Sequence, residues 1–219
     1  MIVTELLIRS MPLLTKGALM TLVIFLEAAV LSLMLGTLFG ALTCNRLKRR
    51  WLGPICEGIT FLLRAVPLYV QLLIIYFVLP DLLQINIEAF FASVLALGIC
   101  SSAYVAQITR SGINSIPVEQ WESATVLGYS TISSVRYVIF PQLIRTILPA
   151  LTGELDALLK STAILSSIGL LELTRMGMNI VSREMEPLTI YLAVAAFYIA
   201  LSGGINLLTK YLEKRLIVC

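Results

Sequence analysis

Histidine is absent from the 219 residues, and charge of either sign is scarce. The missing imidazole removes the most common metal ligand and the usual general base of enzymes. Only 13% of the residues are charged, whereas 58% are hydrophobic and the mean hydropathy is +0.94. A soluble domain needs a charged surface that this composition does not supply, so the sequence indicates a membrane protein.

Cysteine is also scarce, and its four positions are scattered. Cys44, Cys56, Cys100 and Cys219 form no Cys-x-x-Cys pair, so neither a disulfide framework nor a zinc site is indicated. We expect packing residues, with no metal and no cofactor. The net charge of +3 comes from short basic clusters between apolar runs, which is typical of membrane topology and not of nucleic-acid binding.

The chain contains long apolar runs, each near the roughly 20 residues that a membrane helix requires. Together they predict an all-α protein with about five transmembrane helices in one domain over residues 1–219. The first run begins near Gly17, beyond Pro12, and we expect it to be retained as a span and not cleaved as a signal peptide. The runs comprise residues 17–44, 58–80, 88–109, 146–171 and 187–209.

Lysine and arginine collect in three segments beside these runs, and the positive-inside rule places such segments in the cytoplasm. The N-terminus and the second and fourth connections are then expected outside, and the C-terminus inside. The pair Arg9 and Lys16 does not fit this orientation. The basic segments contain Arg46, Lys48, Arg49 and Arg50, then Arg110, Arg136 and Arg145, and finally Lys210, Lys214 and Arg215.

The third connection, residues 115–141, is too long for a simple turn, and its sequence predicts two short helices. Pro117 opens the first helix and Gly128 ends it. Ser130 is suited to cap the second helix, which Pro141 is expected to end. We therefore predict a cytoplasmic helical hairpin that serves as a docking surface.

The first of these short helices carries a recognisable motif. Glu122-Ser123-Ala124, followed after three further residues by Gly128 and later by Pro141, resembles the Glu-Ala-Ala motif of ATP-binding-cassette importer permeases, with serine at the first alanine position. In that family the segment is the coupling helix, which sits in a groove of the ATPase subunit. The resemblance implies that the ATPase-coupling residues are Trp121, Glu122, Ser123, Ala124, Gly128 and Pro141.

Further motifs follow in the order of the same family. Arg64 to Leu72 resembles the Arg-Gly-Thr-Pro-Leu-x-x-Gln-Leu signature of its polar amino-acid branch, without the glycine and threonine. Ala103 to Ile113 resembles Ala-Tyr-x-x-Glu-x-x-Arg-x-Gly, with Gln107 in place of glutamate. On these motifs, which cover nearly the whole chain, the sequence is identified as a member of the polar amino-acid branch of binding-protein-dependent permeases.

The resemblance implies a bacterial inner-membrane subunit that works with several partners. These are two cytoplasmic ATP-binding subunits, a second permease copy or paralogue, an extracytoplasmic solute-binding protein and the membrane lipid. The chain has no Gly-x4-Gly-Lys-Ser/Thr loop, so ATP hydrolysis is expected in a partner and not in this chain. Ser161 stands where relatives that carry cationic amino acids have aspartate, which favours glutamine or glutamate as cargo.

Polar residues at membrane depth are candidates for the substrate pathway, and each also has a structural interpretation. Lys160 is expected either to form an ion pair with Glu27 or Asp156 or to contact substrate. Arg64 is either an interfacial anchor or part of the pathway, and Pro67 is expected to release a carbonyl near the middle of its helix. The candidate pathway residues are Glu27, Arg64, Pro67, Gln71, Lys160, Ser161 and Thr162.

An ion-gradient-driven secondary transporter is the main alternative, and Glu27, Glu154 and Asp156 are the acids that it would use. Many secondary transporters consist of two inverted repeats, and five spans do not divide into two equal repeats, so the secondary-transporter alternative is disfavoured. The sequence lacks the clustered catalytic residues that a membrane-embedded enzyme would need. If the chain were a purely structural subunit, the predicted hairpin would have no function. The fourth span, which carries Glu154, Asp156 and Lys160, is expected to face the protein interior.

Overall fold

The computed structural model describes residues 2–47 and 51–217, and within this part the chain is helical and contains no strand. Three helices are long and apolar enough to cross a membrane, and the number rises to five if each of two bent helix pairs forms one span. The prediction of an all-α protein with about five membrane helices is confirmed. Lys48, Arg49, Arg50 and Cys219 lie outside the described residues.

Eight helices follow one another within the described ranges. They are α1 (Ile2–Thr43), α2 (Leu52–Ala65), α3 (Leu68–Leu83), α4 (Ala89–Ser115), α5 (Val118–Val126), α6 (Thr131–Ile168), α7 (Leu173–Glu184) and α8 (Pro187–Ile217). Helix α3 contains a π-helical stretch at Ile74–Val78, and α6 contains one at Val135–Ile139. Helix α6 also ends in a 3₁₀ stretch at Thr162–Ile168.

Several helices extend beyond the apolar runs that predicted them. Helix α1 begins at Ile2 and includes Pro12, well before the expected start near Gly17. An apolar run marks only the part of a helix that lipid covers. The first turns of α1 lie outside this part and carry exposed charges, such as Glu5 and Arg9, so they were not included in the run. For the same reason α4 and α8 run past the predicted ends of their spans.

The second predicted span is broken at Val66 and Pro67. Val66 is extended at φ −89° and ψ 129°, and Pro67 is extended at φ −57° and ψ 139°. A residue before proline avoids the helical region, so α2 ends at Ala65 and Pro67 caps the N-terminus of α3. Pro67 therefore lies between two helices, and the expectation that it sits inside one continuous helix was wrong.

Pro141 does not end the second hairpin helix, contrary to the sequence-based expectation. The π stretch Val135–Ile139 lies directly before it, and the N–H of Phe140 bonds to the carbonyl of Val135, five residues earlier. This wider turn reduces the clash of the proline ring with the preceding turn, so α6 continues. The stretch Ile74–Val78 precedes Pro80 in α3 in the same way.

By its contacts the chain divides into two compact units. The first unit comprises Met1–Leu31, Pro67–Gly98 and Leu155–Asn206. Its cores centre on the buried residues Ile24, Leu72, Leu97, Leu159 and Leu165, and on Leu14, Leu173, Ile180 and Ile190.

The second unit comprises Ser32–Val66, Ile99–Glu154 and Leu207–Cys219. Its core contains Cys44, Val105, Ile113, Trp121, Ile139, Leu143 and Ile147. Cys44, Cys56 and Cys100 are buried.

Within the second unit, α1 and α4 cross closely at two glycines. A Cβ added to Gly36 would lie 2.5 Å from Cβ of Val105, and one added to Gly40 would lie 2.6 Å from Cβ of Thr109. Neither distance is compatible with a side chain. Small residues at four-residue spacing therefore allow the two backbones to approach, as is common between membrane helices.

Candidate functional site

The predicted hairpin contains two helices joined at a glycine, all within the second unit. Helix α5 follows Pro117, and the turn passes through Gly128 at φ +81°, a conformation that favours glycine. The Oγ of Ser130 accepts the N–H of Ser133 at 3.3 Å and so caps the start of α6. Both predicted start signals and the predicted glycine stop are therefore confirmed.

The hairpin has one buried side and one exposed side. Trp121 and Ala124 are buried in the second unit, whereas Glu122 and Ser123 are exposed. At the turn, three apolar side chains form what we call the hairpin tip. They are Val126, which is 87% exposed, Leu127, which is 75% exposed, and Ile132, which is 82% exposed.

An open groove of about 580 Å³ runs beside the hairpin. Trp121 and Glu122 contribute to it from α5, and Arg46 contributes from the segment after α1. Apolar, acidic and basic groups thus lie together on a surface next to the hairpin tip. Such a mixture is typical of a protein-binding surface.

Lys160 and Asp156 form an ion pair in the first unit. Nζ of Lys160 lies 2.5 Å from Oδ2 of Asp156, and the hydroxyl of Ser202 donates to Oδ1 of the same carboxylate. The side chain of Lys160 is 61% exposed, so within this chain it does not face the interior as expected. Of the two pairings proposed for Lys160, the one with Asp156 is present.

Glu27, the other proposed partner of Lys160, is exposed on α1. In residues 2–47 and 51–217 no ion pair joins it to a basic side chain.

The remaining pathway candidates of the first unit have different surroundings. The hydroxyl of Ser161 donates to the carbonyl of Ala157 at 2.8 Å. Thr162 is buried and begins the 3₁₀ stretch of α6, while Gln71 is buried in α3 and Pro67 is exposed. Arg64 belongs to the second unit, where its Nε donates to the carbonyl of Thr60 at 3.2 Å.

Sequence reasoning missed a serine relay in the second unit. Ser32 donates to Ser101 at 2.9 Å, and Ser101 donates to Oε1 of Glu154 at 2.6 Å. This chain of hydrogen bonds links α1, α4 and α6 around a carboxylate. Serines in apolar helices carry no periodic signal of their own, so only the acid Glu154 was visible in the sequence.

A second missed network surrounds Glu172 in the first unit. This fully buried residue caps α7, accepting the N–H groups of Thr174 at 2.8 Å and Arg175 at 2.7 Å. The hydroxyl of Tyr198 donates to the same carboxylate at 3.2 Å. The preceding Gly169, at φ +82°, was the available signal for a helix end followed by a cap.

Metal binding finds no support in the described part of the chain. No group of three or more cysteine, aspartate or glutamate side chains is placed there to hold an ion.

These features define a multi-pass membrane protein with broken helices and a structured hairpin. Residues 32–218 match the family described as the binding-protein-dependent transport system inner membrane component. The glutamine transport system permease protein GlnP of Escherichia coli strain K12 is 34% identical over 212 residues, covering 94% of each chain. The putative glutamine transport system permease protein GlnP of Rickettsia bellii is 35% identical, covering 93% of this chain and 92% of the relative.

Solved structures share the fold. A crystal structure of an amino acid ABC transporter with histidines has a TM-score of 0.84 and 37% identity, covering 95% of this chain and 96% of its own. The methionine ABC transporter MetNI in an inward-facing conformation has a TM-score of 0.82 at 18% identity, covering 94% of this chain and 97% of its own.

The chain therefore belongs to the binding-protein-dependent transport system inner membrane component family. It is a permease subunit of an ABC importer of the bacterial inner membrane, and ATP hydrolysis takes place in a separate subunit. ATP-binding subunits and a solute-binding protein are the partners of such permeases.

Proposed function

We propose that this permease imports a polar, non-cationic amino acid, with glutamine as the first candidate and glutamate as the second. Two observations support this cargo. Relatives with 34% and 35% identity are named as glutamine permeases. Ser161 carries a hydroxyl that supplies no negative charge for a cationic side chain.

Residues 1–219 act as one permease domain in an assembly of two permease subunits, two ATP-binding subunits and one solute-binding protein. The N-terminus lies outside and the C-terminus in the cytoplasm. The distribution of lysine and arginine supports this orientation, because basic residues collect in segments that lie in the cytoplasm. The orientation places the hairpin of residues 115–141 on the side where ATP is available.

The hairpin of residues 115–141 docks onto an ATP-binding subunit. The observation that carries this proposal is the division of the hairpin into a buried side and an apolar tip. Trp121 and Ala124 fix the hairpin to the second unit, while Val126, Leu127 and Ile132 have no cover within the described chain. Exposed apolar side chains grouped on a charged rim mark a protein-binding surface.

The substrate passes the Lys160 region of the first unit. Lys160 and Asp156 supply one positive and one negative group, which match the carboxylate and ammonium groups of an amino acid. The exposure of Lys160 leaves its ammonium group accessible to a ligand. In the first unit, the other pathway residues of this proposal are Glu27, Pro67, Gln71, Ser161 and Thr162. Arg64 is proposed separately, as a pathway residue of the second unit.

Affinity purification from native membranes tests the docking. Mild-detergent extracts of the tagged wild type should contain an ATP-binding subunit, and Glu122→Arg and Gly128→Pro should lose it. Val118→Ala, also on α5, serves as a matched control for general disturbance of the hairpin. Absence of an ATP-binding subunit from the wild-type complex, or its retention by both variants, would contradict the docking proposal.

A further inference from the structure

A small apolar cavity lies in the second unit between the hairpin and the membrane helices. Its volume is about 150 Å³, and its walls include Ala41, Thr109, Trp121, Ile139 and Leu143. Protein interiors are normally packed without voids of this size, and an apolar cavity of this volume can hold a benzene-sized group. The space is therefore large enough to receive part of an indole ring.

Two residues of the cavity wall carry unpaired polar atoms. Within the described residues, neither Nε1 of Trp121 nor Oγ1 of Thr109 has a hydrogen-bond partner, although both atoms are buried. Buried polar groups are almost always paired, because leaving one without a partner is unfavourable. The indole N–H is a donor and the hydroxyl is an acceptor, so these two groups could satisfy each other.

Thr109 differs from the neighbouring helical threonines of its unit. Thr37, Thr43 and Thr60 donate to the carbonyl four residues earlier, at 2.6, 2.8 and 3.0 Å. Thr109 makes no such bond among the described residues. Because its Cβ packs against Gly40 at the crossing of α1 and α4, its position is fixed while its hydroxyl stays unpaired.

Trp121 lies on α5, the helix that the proposed docking places next to an ATP-binding subunit. The π stretch Val135–Ile139 lies at the end of the hairpin, directly before the long remainder of α6, and supplies Ile139 to the cavity wall. Turns of this kind are often found at functional positions.

We propose that Thr109 is a positioning residue for coupling, which receives the indole N–H of Trp121 in a second state of the hairpin. In that state the indole enters the cavity and donates to Oγ1 of Thr109. Movement of the hairpin is thereby passed to the crossing of α1 and α4 at Gly40. This inference rests on the proposed docking of the hairpin to an ATP-binding subunit.

The test uses the complete transporter in proteoliposomes and measures amino-acid molecules imported per ATP hydrolysed. Thr109→Val removes the acceptor and keeps the shape, and Trp121→Phe removes the donor. Each should lower the ratio at least fivefold while the ATP-binding subunit still co-purifies, and the double variant should be no worse than either single one. Thr109→Ser keeps the acceptor hydroxyl and should show the wild-type ratio. Thr152→Val, which lies outside the cavity wall, should also leave the ratio unchanged.

A fluorescence measurement gives an independent readout. Trp51→Phe leaves Trp121 as the only tryptophan of the chain, because the sequence has two. In the assembled transporter, the emission of Trp121 is the part that a further Trp121→Phe change removes. ATP binding should shift this part, and the added Thr109→Val change should abolish the shift.

Wild-type coupling ratios in both Thr109→Val and Trp121→Phe would overturn the role of Thr109 and leave the docking proposal intact. An identical emission shift with and without Thr109→Val would overturn it as well. Failure of the wild-type chain to co-purify with an ATP-binding subunit would instead remove the docking proposal and, with it, this inference.

Discussion

Lys160 and Asp156 lie one helical turn apart on α6, and their side chains meet at 2.5 Å. Ser202 donates to the other oxygen of Asp156, and the carbonyl of Ser202 accepts from Nδ2 of Asn206 at 2.9 Å. The carboxylate is thus held by two groups, whereas the ammonium group of Lys160 is largely exposed. The pair therefore combines a fixed carboxylate with an accessible ammonium group.

Replacing Lys160 by methionine should affect transport more than stability. The side chain of Lys160 is 61% exposed, and Ser202 still donates to Asp156 in its absence, so the melting temperature in detergent should change little. Uptake should fall at least tenfold if the ammonium group binds the carboxylate of the cargo. Asn206→Ala is the matched control, because it removes only a bond to the backbone of Ser202. Normal uptake by Lys160→Met would exclude Lys160 from the pathway.

Replacing Ser161 by aspartate should widen the cargo range. The new carboxylate would supply the countercharge for a cationic side chain, so arginine should begin to compete with glutamine for uptake. Competition assays in proteoliposomes should include histidine, in view of the related transporter whose structure was solved with histidines. Ser161→Asn is the uncharged control of similar size. Unchanged competition by arginine would show that residue 161 does not select the cargo.

Replacing Gly40 by alanine should destabilise the second unit. The added Cβ would lie 2.6 Å from Cβ of Thr109, so α1 and α4 would have to separate, at a cost of about 1 to 3 kcal/mol. Gly58→Ala is the control, since a Cβ at Gly58 meets nothing within 4 Å. Thermal unfolding in detergent should show a lower melting temperature for Gly40→Ala alone. Equal melting temperatures would contradict the close crossing.

Replacing Ser101 by alanine should weaken the serine relay. Its hydroxyl both accepts from Ser32 and donates to Glu154, so both bonds are lost together. Hydrogen bonds between membrane helices are worth about 1 kcal/mol each, so a loss of roughly 1 to 2 kcal/mol is expected. Ser182→Ala, which removes an exposed bond within α7, should have no measurable effect on thermal unfolding. Similar stabilities of the two variants would show that the relay contributes nothing.

Composition and motif order predicted the membrane class and the start of the hairpin correctly, and the predicted number of about five spans agrees with the three to five candidate membrane helices. These properties depend on the length of apolar runs and on local capping, as at Ser130 and Gly128, and both can be read along the chain. Helix ends were less predictable, because tertiary contacts decide how far a helix continues. The π stretch before Pro141 shows this, since proline alone predicted a stop.

The polar networks could be predicted only in part. The spacing of Asp156 and Lys160 on one helix was visible in the sequence and gave the correct pair. The relay from Ser32 to Ser101 and Glu154 forms because three helices pack together, and no local sequence pattern predicts which helices pack. For the same reason, the unpaired hydroxyl of Thr109 became apparent only when the cavity beside Trp121 was located.

The most direct test of the central claim is glutamine uptake into proteoliposomes that contain this chain, its ATP-binding subunits and the solute-binding protein. Uptake should require ATP on the side of the hairpin, should not respond to an ion gradient, and should stop with Glu122→Arg. Uptake driven by an ion gradient in vesicles that hold this chain without an ATP-binding subunit would contradict the account.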